Sequence, residues 1–226
     1  MHIFFPIPLL LLLISPTLTT ATTLYFDSLP TPHGLAPLPS PYKNITFHRA
    51  SIFDPLSPFL RNIITPHDHN CAVSAPNALI GSRDTEGGPG LTFSVADNGT
   101  FALQRFWVKP MNFPEGGDVT VRMFGYRGDA TPGTAVDGDG DDGVVKWQVE
   151  FPAGYHVPFL VKMEEYSQND WTGLRSVEIV ADYGEQKLDW EVCLDDLVVE
   201  FEEEEEEEGG RGMGRMEGQI LLADAR

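Results

Sequence analysis

Between Trp190 and Phe201 the large apolar side chains change phase. They fall on even positions at Trp190, Val192 and Leu194, then on odd positions at Leu197, Val199 and Phe201. Side chains alternate faces along a strand, so one strand can bury both sets only if it carries a bulge or kink at Asp195-Asp196. The two acids have two readings. They are solvated side chains on an exposed edge, or oxygen ligands for a hard cation such as calcium.

The same period of two runs through the centre of the chain. Leu91, Phe93 and Val95 alternate with Thr92 and Ser94, and Val145, Trp147, Val149 and Phe151 alternate with Lys146, Gln148 and Glu150. Extended patterns also cover 101–109, 119–123 and 177–181, with turn chemistry at Asp97-Asn98-Gly99, Glu115-Gly116-Gly117-Asp118 and Asp182-Tyr183-Gly184-Glu185. Leu24 to Phe26 and Ile45 to Phe53 each read as one further strand. Five prolines between Pro30 and Pro41 predict an extended surface connection, and 55–70 reads as loop. Only 154–166 has room for a helical turn. Many short strands without an amphipathic helix specify an all-β fold, an antiparallel β-sandwich.

The ends bound the domain. Residues 1–21 read as a signal peptide: an apolar run through Leu9–Leu13, too short for a membrane span, precedes Pro16 and small residues up to Ala21. No basic residue precedes that run. The sandwich is assigned to 22–201 and a disordered Glu/Gly-rich tail to 202–226, because seven consecutive glutamates, Glu202–Glu208, repel one another and bury nothing. No other stretch is apolar enough to span a membrane, so the expected product is secreted, extracellular and monomeric. A net charge of −19 without a basic patch excludes a phosphate backbone as partner, so no nucleic acid is expected. In an oxidising compartment Cys71 and Cys193 are read as one disulfide, worth about 4–5 kcal/mol by chain entropy; otherwise they are two buried thiols. Asn44 and Asn98 head Asn-x-Thr triplets and are glycosylation acceptors where exposed.

Few residues point to chemistry. Asp137, Asp139, Asp141 and Asp142 begin like an EF-hand loop, but the sixth position is Asp142 where glycine is needed and the twelfth is Gln148 where glutamate is needed. A mobile acidic hairpin loop is the better reading. His67-Asp68-His69 has metal-like spacing but lacks the glutamate and later histidine of a cupin site, so it reads as a polar loop. There is no Gly-x-Ser-x-Gly turn, and no acid pair can be singled out. Among the aromatics, Trp171 lies in the polar stretch Gln168-Asn169-Asp170-Trp171-Thr172 and is the candidate platform for stacking a sugar ring. Trp147 and Trp190 are assigned to the core.

One series of segments adds a family likeness. Phe26-Asp27-Ser28-Leu29 opens the mature chain, and Ser74-Ala75-Pro76-Asn77-Ala78-Leu79 follows a long loop. Gly99-Thr100-Phe101, the Phe124-Gly125-Tyr126 end of a strand, Leu174 to Val180 and Leu194-Asp195-Asp196-Leu197-Val198-Val199 complete it. Together they resemble uncharacterised secreted fungal proteins and bacterial surface proteins with a galactose-binding-like jelly-roll domain. The resemblance implies a jelly roll whose first and last strands are adjacent, with a structural calcium between Asp27 and Asp195 and Asp196 beside it. It also implies a non-catalytic module that binds a glycan or cell-wall polysaccharide. The proline-rich entry, the acidic 137–142 loop and the glutamate tail depart from that pattern. The alternatives are a secreted structural or interaction protein without a small ligand, and a glycan-active hydrolase or lyase on the same scaffold.

Overall fold

The computed structural model of the chain describes residues 21–82, 90–97, 99–111, 118–133, 143–167, 170–184 and 190–202. Residues 1–20 of the leader, the Asp137–Asp142 loop, Asn98 and residues 203–226 of the glutamate tail lie outside the described residues. Among the described residues twelve strands form: β1 (Ala21–Leu24), β2 (Leu35–Pro37), β3 (Ile45–His48), β4 (Ala50–Phe53), β5 (Ala78–Ser82), β6 (Leu91–Val95), β7 (Thr100–Pro110), β8 (Val119–Arg127), β9 (Val144–Phe151), β10 (Phe159–Lys162), β11 (Leu174–Asp182) and β12 (Trp190–Glu202). A one-turn helix, α1 (Met163–Tyr166), follows β10, and Pro66–Asn70 forms a 3₁₀ turn.

All the strand pairs are antiparallel. They lie in two layers. The first runs β2-β4-β5-β12-β7-β10, and the second runs β3-β6-β11-β8-β9. The layers are stitched at one corner, where Leu174 of β11 pairs with Phe101 of β7. Between them lies one apolar core built from the inward residues of both layers, including Phe101, Phe106, Leu194 and Leu197 from the first and Phe93, Met123, Val177 and Ile179 from the second. The first and last strands are adjacent: β1 pairs with the second half of β12, Leu24 opposite Leu197.

The phase change of β12 is real and has a partner. Val192 and Leu194 reach the main core before the break, and Leu197 and Val199 after it. Asp196 takes a positive φ of 47°, and the register against β7 slips between Asp195 and Val198. β7 compensates within the next pair, because Val198 lies opposite Arg105 whereas Val199 lies opposite Leu103. The inward residues of β7 accordingly switch from Val108 and Phe106 to Leu103 and Phe101. Two central strands therefore bend together, and neither loses a buried face. The bend also separates β12's neighbours, with β5 along 190–194 and β1 along 197–200.

Two local expectations need correction. The stretch 45–53 is not one strand, because Arg49 adopts a φ of 57° and turns the chain between layers. β3 consequently pairs with β6 in one layer, and β4 with β5 in the other. The loop before β5 is not mere surface connection either. It covers the outer face of the first layer, where Leu60, Ile64 and Cys71 join Phe53, Ala78, Ile80, Met111 and Cys193 in a second apolar core.

The Cys71–Cys193 disulfide closes that second core. The cysteines are 122 residues apart, and both side chains are buried. Replacing both by alanine is expected to lower unfolding stability by about 2–5 kcal/mol. The loss should appear in thermal or urea unfolding, and an unchanged midpoint would contradict it.

Candidate functional site

The covering segment 54–77 is held to the first layer by a short row of polar contacts. Lys109 of β7 lies directly opposite Cys193 of β12 and is wholly buried. Its ammonium donates to Asp68 Oδ1 at 2.9 Å and to the His67 carbonyl. Asp68, 1% exposed, also accepts from the Thr65 hydroxyl at 2.8 Å. Burial lowers the Lys109 pKa, and the Asp68 charge and hydrogen bond work against that lowering. Asp68 therefore anchors the 3₁₀ turn, and it is not available as a ligand. His67 stacks on His156, with ring centroids 3.8 Å apart.

Asp195 continues the row. Its carboxylate is fully buried and accepts from the backbone N–H of Val73 at 2.7 Å and Ser74 at 2.9 Å through Oδ2, and from the N–H of Asp196 at 2.8 Å through Oδ1. Asp196 accepts from the Ser74 hydroxyl at 2.9 Å. Asp27 accepts from the N–H of Asn77 at 3.2 Å. Asn77, also buried, donates its amide to the carbonyls of Phe26, Asp27 and Leu29 and accepts from the Thr31 hydroxyl at 3.1 Å.

The donors that meet Asp195 and Asp27 are backbone N–H groups of the covering segment and of Asp196. A hard cation needs oxygen lone pairs directed at it, whereas both Asp195 oxygens already face N–H donors. Asp27 and Asp195 serve two different stretches of the covering segment, and no group of three His, Cys, Asp or Glu able to hold a metal ion occurs among the described residues. The acids stitch the loop to the gap between β5 and β1.

Trp171 requires a correction too. It is 3% exposed, and its indole N–H donates to the Ser167 hydroxyl at 2.7 Å. A Cβ on Gly125 would come within 2.9 Å of the ring, so the missing side chain of Gly125 is what admits the tryptophan. Trp171 is one of the residues that line a hollow of about 370 Å³. A ring packed this way cannot present a face to a sugar. Trp147 is half-buried and donates its indole N–H to the Tyr166 carbonyl at 3.2 Å, whereas the side chain of Trp190 lies outside the described residues. Of the two glycosylation triplets, Asn44 is exposed at a turn with φ 66°.

The outer face of the second layer holds a feature that sequence reading missed. Outward residues from strands far apart in the chain meet in rows: His48 opposite Thr92 opposite Glu178, and Thr46 opposite Ser94 opposite Ser176 opposite Tyr126. The 128–132 turn rises beside them to form a cleft of about 440 Å³, lined by His48, Thr92, Ser94, Ser176, Asp129 and Arg175 among others. Arg175 reaches the cleft because it occupies the register shift between Leu174 and Ser176.

Glu178 secures that wall. Buried to 5% exposure, it accepts from the N–H of Gly90 at 3.0 Å, the N–H of Gly133 at 3.0 Å and the Tyr126 hydroxyl at 2.6 Å. Burial first, and then the hydrogen bond to Glu178, push the Tyr126 phenol well above its ordinary pKa. The phenol therefore stays a donor throughout the accessible pH range. Chemically the cleft offers hydroxyls that donate or accept, one imidazole, one carboxylate and one guanidinium, a set suited to a neutral polyhydroxylated ligand. The alternation of Thr92 and Ser94 was visible in the sequence. Their convergence with His48, Ser176 and the 128–132 turn was not, since it depends on how β3, β6 and β11 pair.

Fold and cleft together define an antiparallel β-sandwich with an open cleft of mixed polar and apolar lining on one outer face. No family model and no curated protein matches the chain. Among solved structures, a DUF4465 family protein from Bacteroides ovatus is similar over 83% of this chain and 96% of that one, with 8% sequence identity and a TM-score of 0.40.

Burial pushes the Asp195 carboxyl up from 3.8 to about 7, with the nearby Asp196 charge adding to it and the N–H donors of Ser74, Asp196 and Val73 opposing it. The folded chain then holds this proton more tightly than the unfolded chain does. The contribution is fully present below the ordinary value of 3.8 and is lost as pH rises toward about 7. Relative to Asp195→Asn, the wild type is expected to lose stability across that window. Calorimetric midpoints of the two proteins against pH test this, and parallel curves, or a wild type that gains, would refute it.

Proposed function

We propose that the chain is a secreted, non-catalytic binding module whose ligand is a glycan or cell-wall polysaccharide held in the cleft on the second layer. The observation that carries this reading is the cleft itself. It is open, and the exposed side chains of His48, Asp129 and Arg175 are spaced around the half-buried Ser94 and the largely buried Thr92 and Ser176. Sugars present alternating donors and acceptors, and such a lining can satisfy several at once without a buried charge. Secretion is supported by the apolar leader, by the intramolecular disulfide and by the exposed Asn44 that heads an Asn-x-Thr triplet. No helix among the described residues is long and apolar enough to cross a membrane.

The test is a binding screen of the mature chain against glycans and polysaccharides, with calcium and with chelator. Arg175→Ala and His48→Ala are expected to weaken saturable binding by about tenfold or more, the loss of one or two hydrogen bonds to a bound ligand. Trp171→Phe, which keeps the packed ring, is expected to leave affinity unchanged. Chelator is expected to change neither affinity nor melting temperature, because the Asp195 oxygens are already occupied by N–H donors. Binding that survives both cleft substitutions, or no binding across the panel, would refute the assignment.

A further inference from the structure

The segment that covers the first layer turns apolar side chains outward as well as inward. Leu56, Phe59 and Ile63 are 66%, 61% and 60% exposed, more than any other large apolar side chain among the described residues. They stand on a run of turns. The N–H groups of Ser57, Leu60 and Ile63 donate to the carbonyls of Asp54, Ser57 and Leu60 at 3.0, 3.0 and 2.8 Å, and the Ile64 N–H donates to Leu60 at 3.1 Å. Ser57, Leu60 and Ile64 are buried beneath the run, the last two in the second core. A Cβ on Gly34 would come within 2.9 Å of Ser57 and Leu60, so the turn before β2 packs directly against the run. It sets His33 edge-on to the Phe59 ring, with centroids 5.2 Å apart, and leaves Leu35 36% exposed. Apolar side chains gathered in this way on one surface mark an interaction site.

Charge selects what covers it. The chain has 34 acids against 15 lysines and arginines, yet residues 28–67 hold a single acid, Asp54, against Lys43, Arg49 and Arg61. Asp54 accepts the Leu56 N–H at 2.9 Å, and the next acid, Asp68, is buried against Lys109. An apolar segment so poor in acids, on a chain of net charge −19, suits a partner without net charge. A second copy would bring −19 against −19. The seven glutamates of 202–208 would find one arginine, Arg61, between Asp54 and His67.

We propose that this segment seats the chain on an uncharged lipid surface, with Leu56, Phe59 and Ile63 entering the boundary between headgroups and acyl chains. The hydrogen bonds along the run already satisfy N–H groups that would lose water on entry. The Cys71–Cys193 disulfide and the Asp68–Lys109 pair hold the segment on its core, so little is lost in ordering it. The contact is peripheral and spans nothing. It lies on the outer side of the first layer, whereas the cleft lies on the outer face of the second, and none of its residues lines the cleft. The two sites are therefore independent.

The test is flotation of the mature chain with phosphatidylcholine vesicles, with melting curves confirming that each variant is folded. The wild type is expected to float with the vesicles and to do so equally at about 0.1 M and about 1 M salt, where the Debye length falls from about 10 Å to about 3 Å. Phe59→Asp and Ile63→Asp are each expected to lower the partition coefficient by about tenfold or more. Tyr166→Ser, at a side chain 48% exposed beyond β10 on the opposite edge of the layer, is expected to leave it unchanged. A wild type that does not float would overturn the proposal. So would flotation that needs added phosphatidylglycerol and is lost in salt, or flotation indifferent to both aspartate substitutions. Sedimentation velocity of the same proteins covers the remaining occupant: a wild-type dimer that Phe59→Asp dissociates would assign the surface to a second copy and overturn the proposal equally.

Discussion

The architecture depends on a conflict that β7 and β12 resolve together. Both are long strands at the centre of the first layer, both bury side chains on each face, and both change inward phase along their length. A single slip on β12 would have turned the inward residues of half the ladder outward, at the cost of several buried apolar side chains, each worth about 1.5–3 kcal/mol. The matching slip on β7 restores the register within a few residues. The local price is a backbone kink at Asp196, and the gain is a sharply bent pair of strands whose outer face can be covered.

Covering that outer face follows from the bend. Lys109, Cys193 and Asp195 project outward from neighbouring positions of β7 and β12, and each meets the same segment: Lys109 meets Asp68, Cys193 meets Cys71, and Asp195 meets Val73 and Ser74. A buried lysine and a buried carboxylate are each unfavourable alone, and each is compensated by a fixed partner. The three contacts turn a proline-rich loop into the lid of a second apolar core. Asp68, the His67 carbonyl and the Asp195-Asp196 pair all take part in holding that lid.

With the first layer closed over, the second layer's outer face remains for a ligand. There Glu178 performs a comparable task on a smaller scale. One buried carboxylate gathers the N–H groups of Gly90 and Gly133 and the Tyr126 hydroxyl, and so holds the 128–133 turn against the sheet. The cleft exists because that turn stands where it does. In both layers buried acids fix loops, and in the second layer the loop so fixed forms one wall of the cleft.

Much of the fold was legible from period alone. The alternation in β6, β8, β9 and β11 named their inward residues correctly, and the phase change at Asp195-Asp196 located the bulge, because each of these signals is carried by adjacent residues. The candidate site was less legible. Trp171 sits in a polar stretch, yet it is buried because Gly125, distant in sequence, leaves room for its ring. Asp27 and Asp195 accept backbone N–H groups, which no side-chain pattern announces. The cleft joins residues of β3, β6 and β11 with the 128–132 turn, and only their pairing order brings these together. The amino-acid sequence by itself determined which side chains face inward along β6, β8, β9, β11 and β12, since that is a matter of the period of two. Tertiary structure alone decided which acids are buried, which aromatic ring is covered and which polar residues share a cleft, because those depend on contacts between segments that the chain brings together only when it folds.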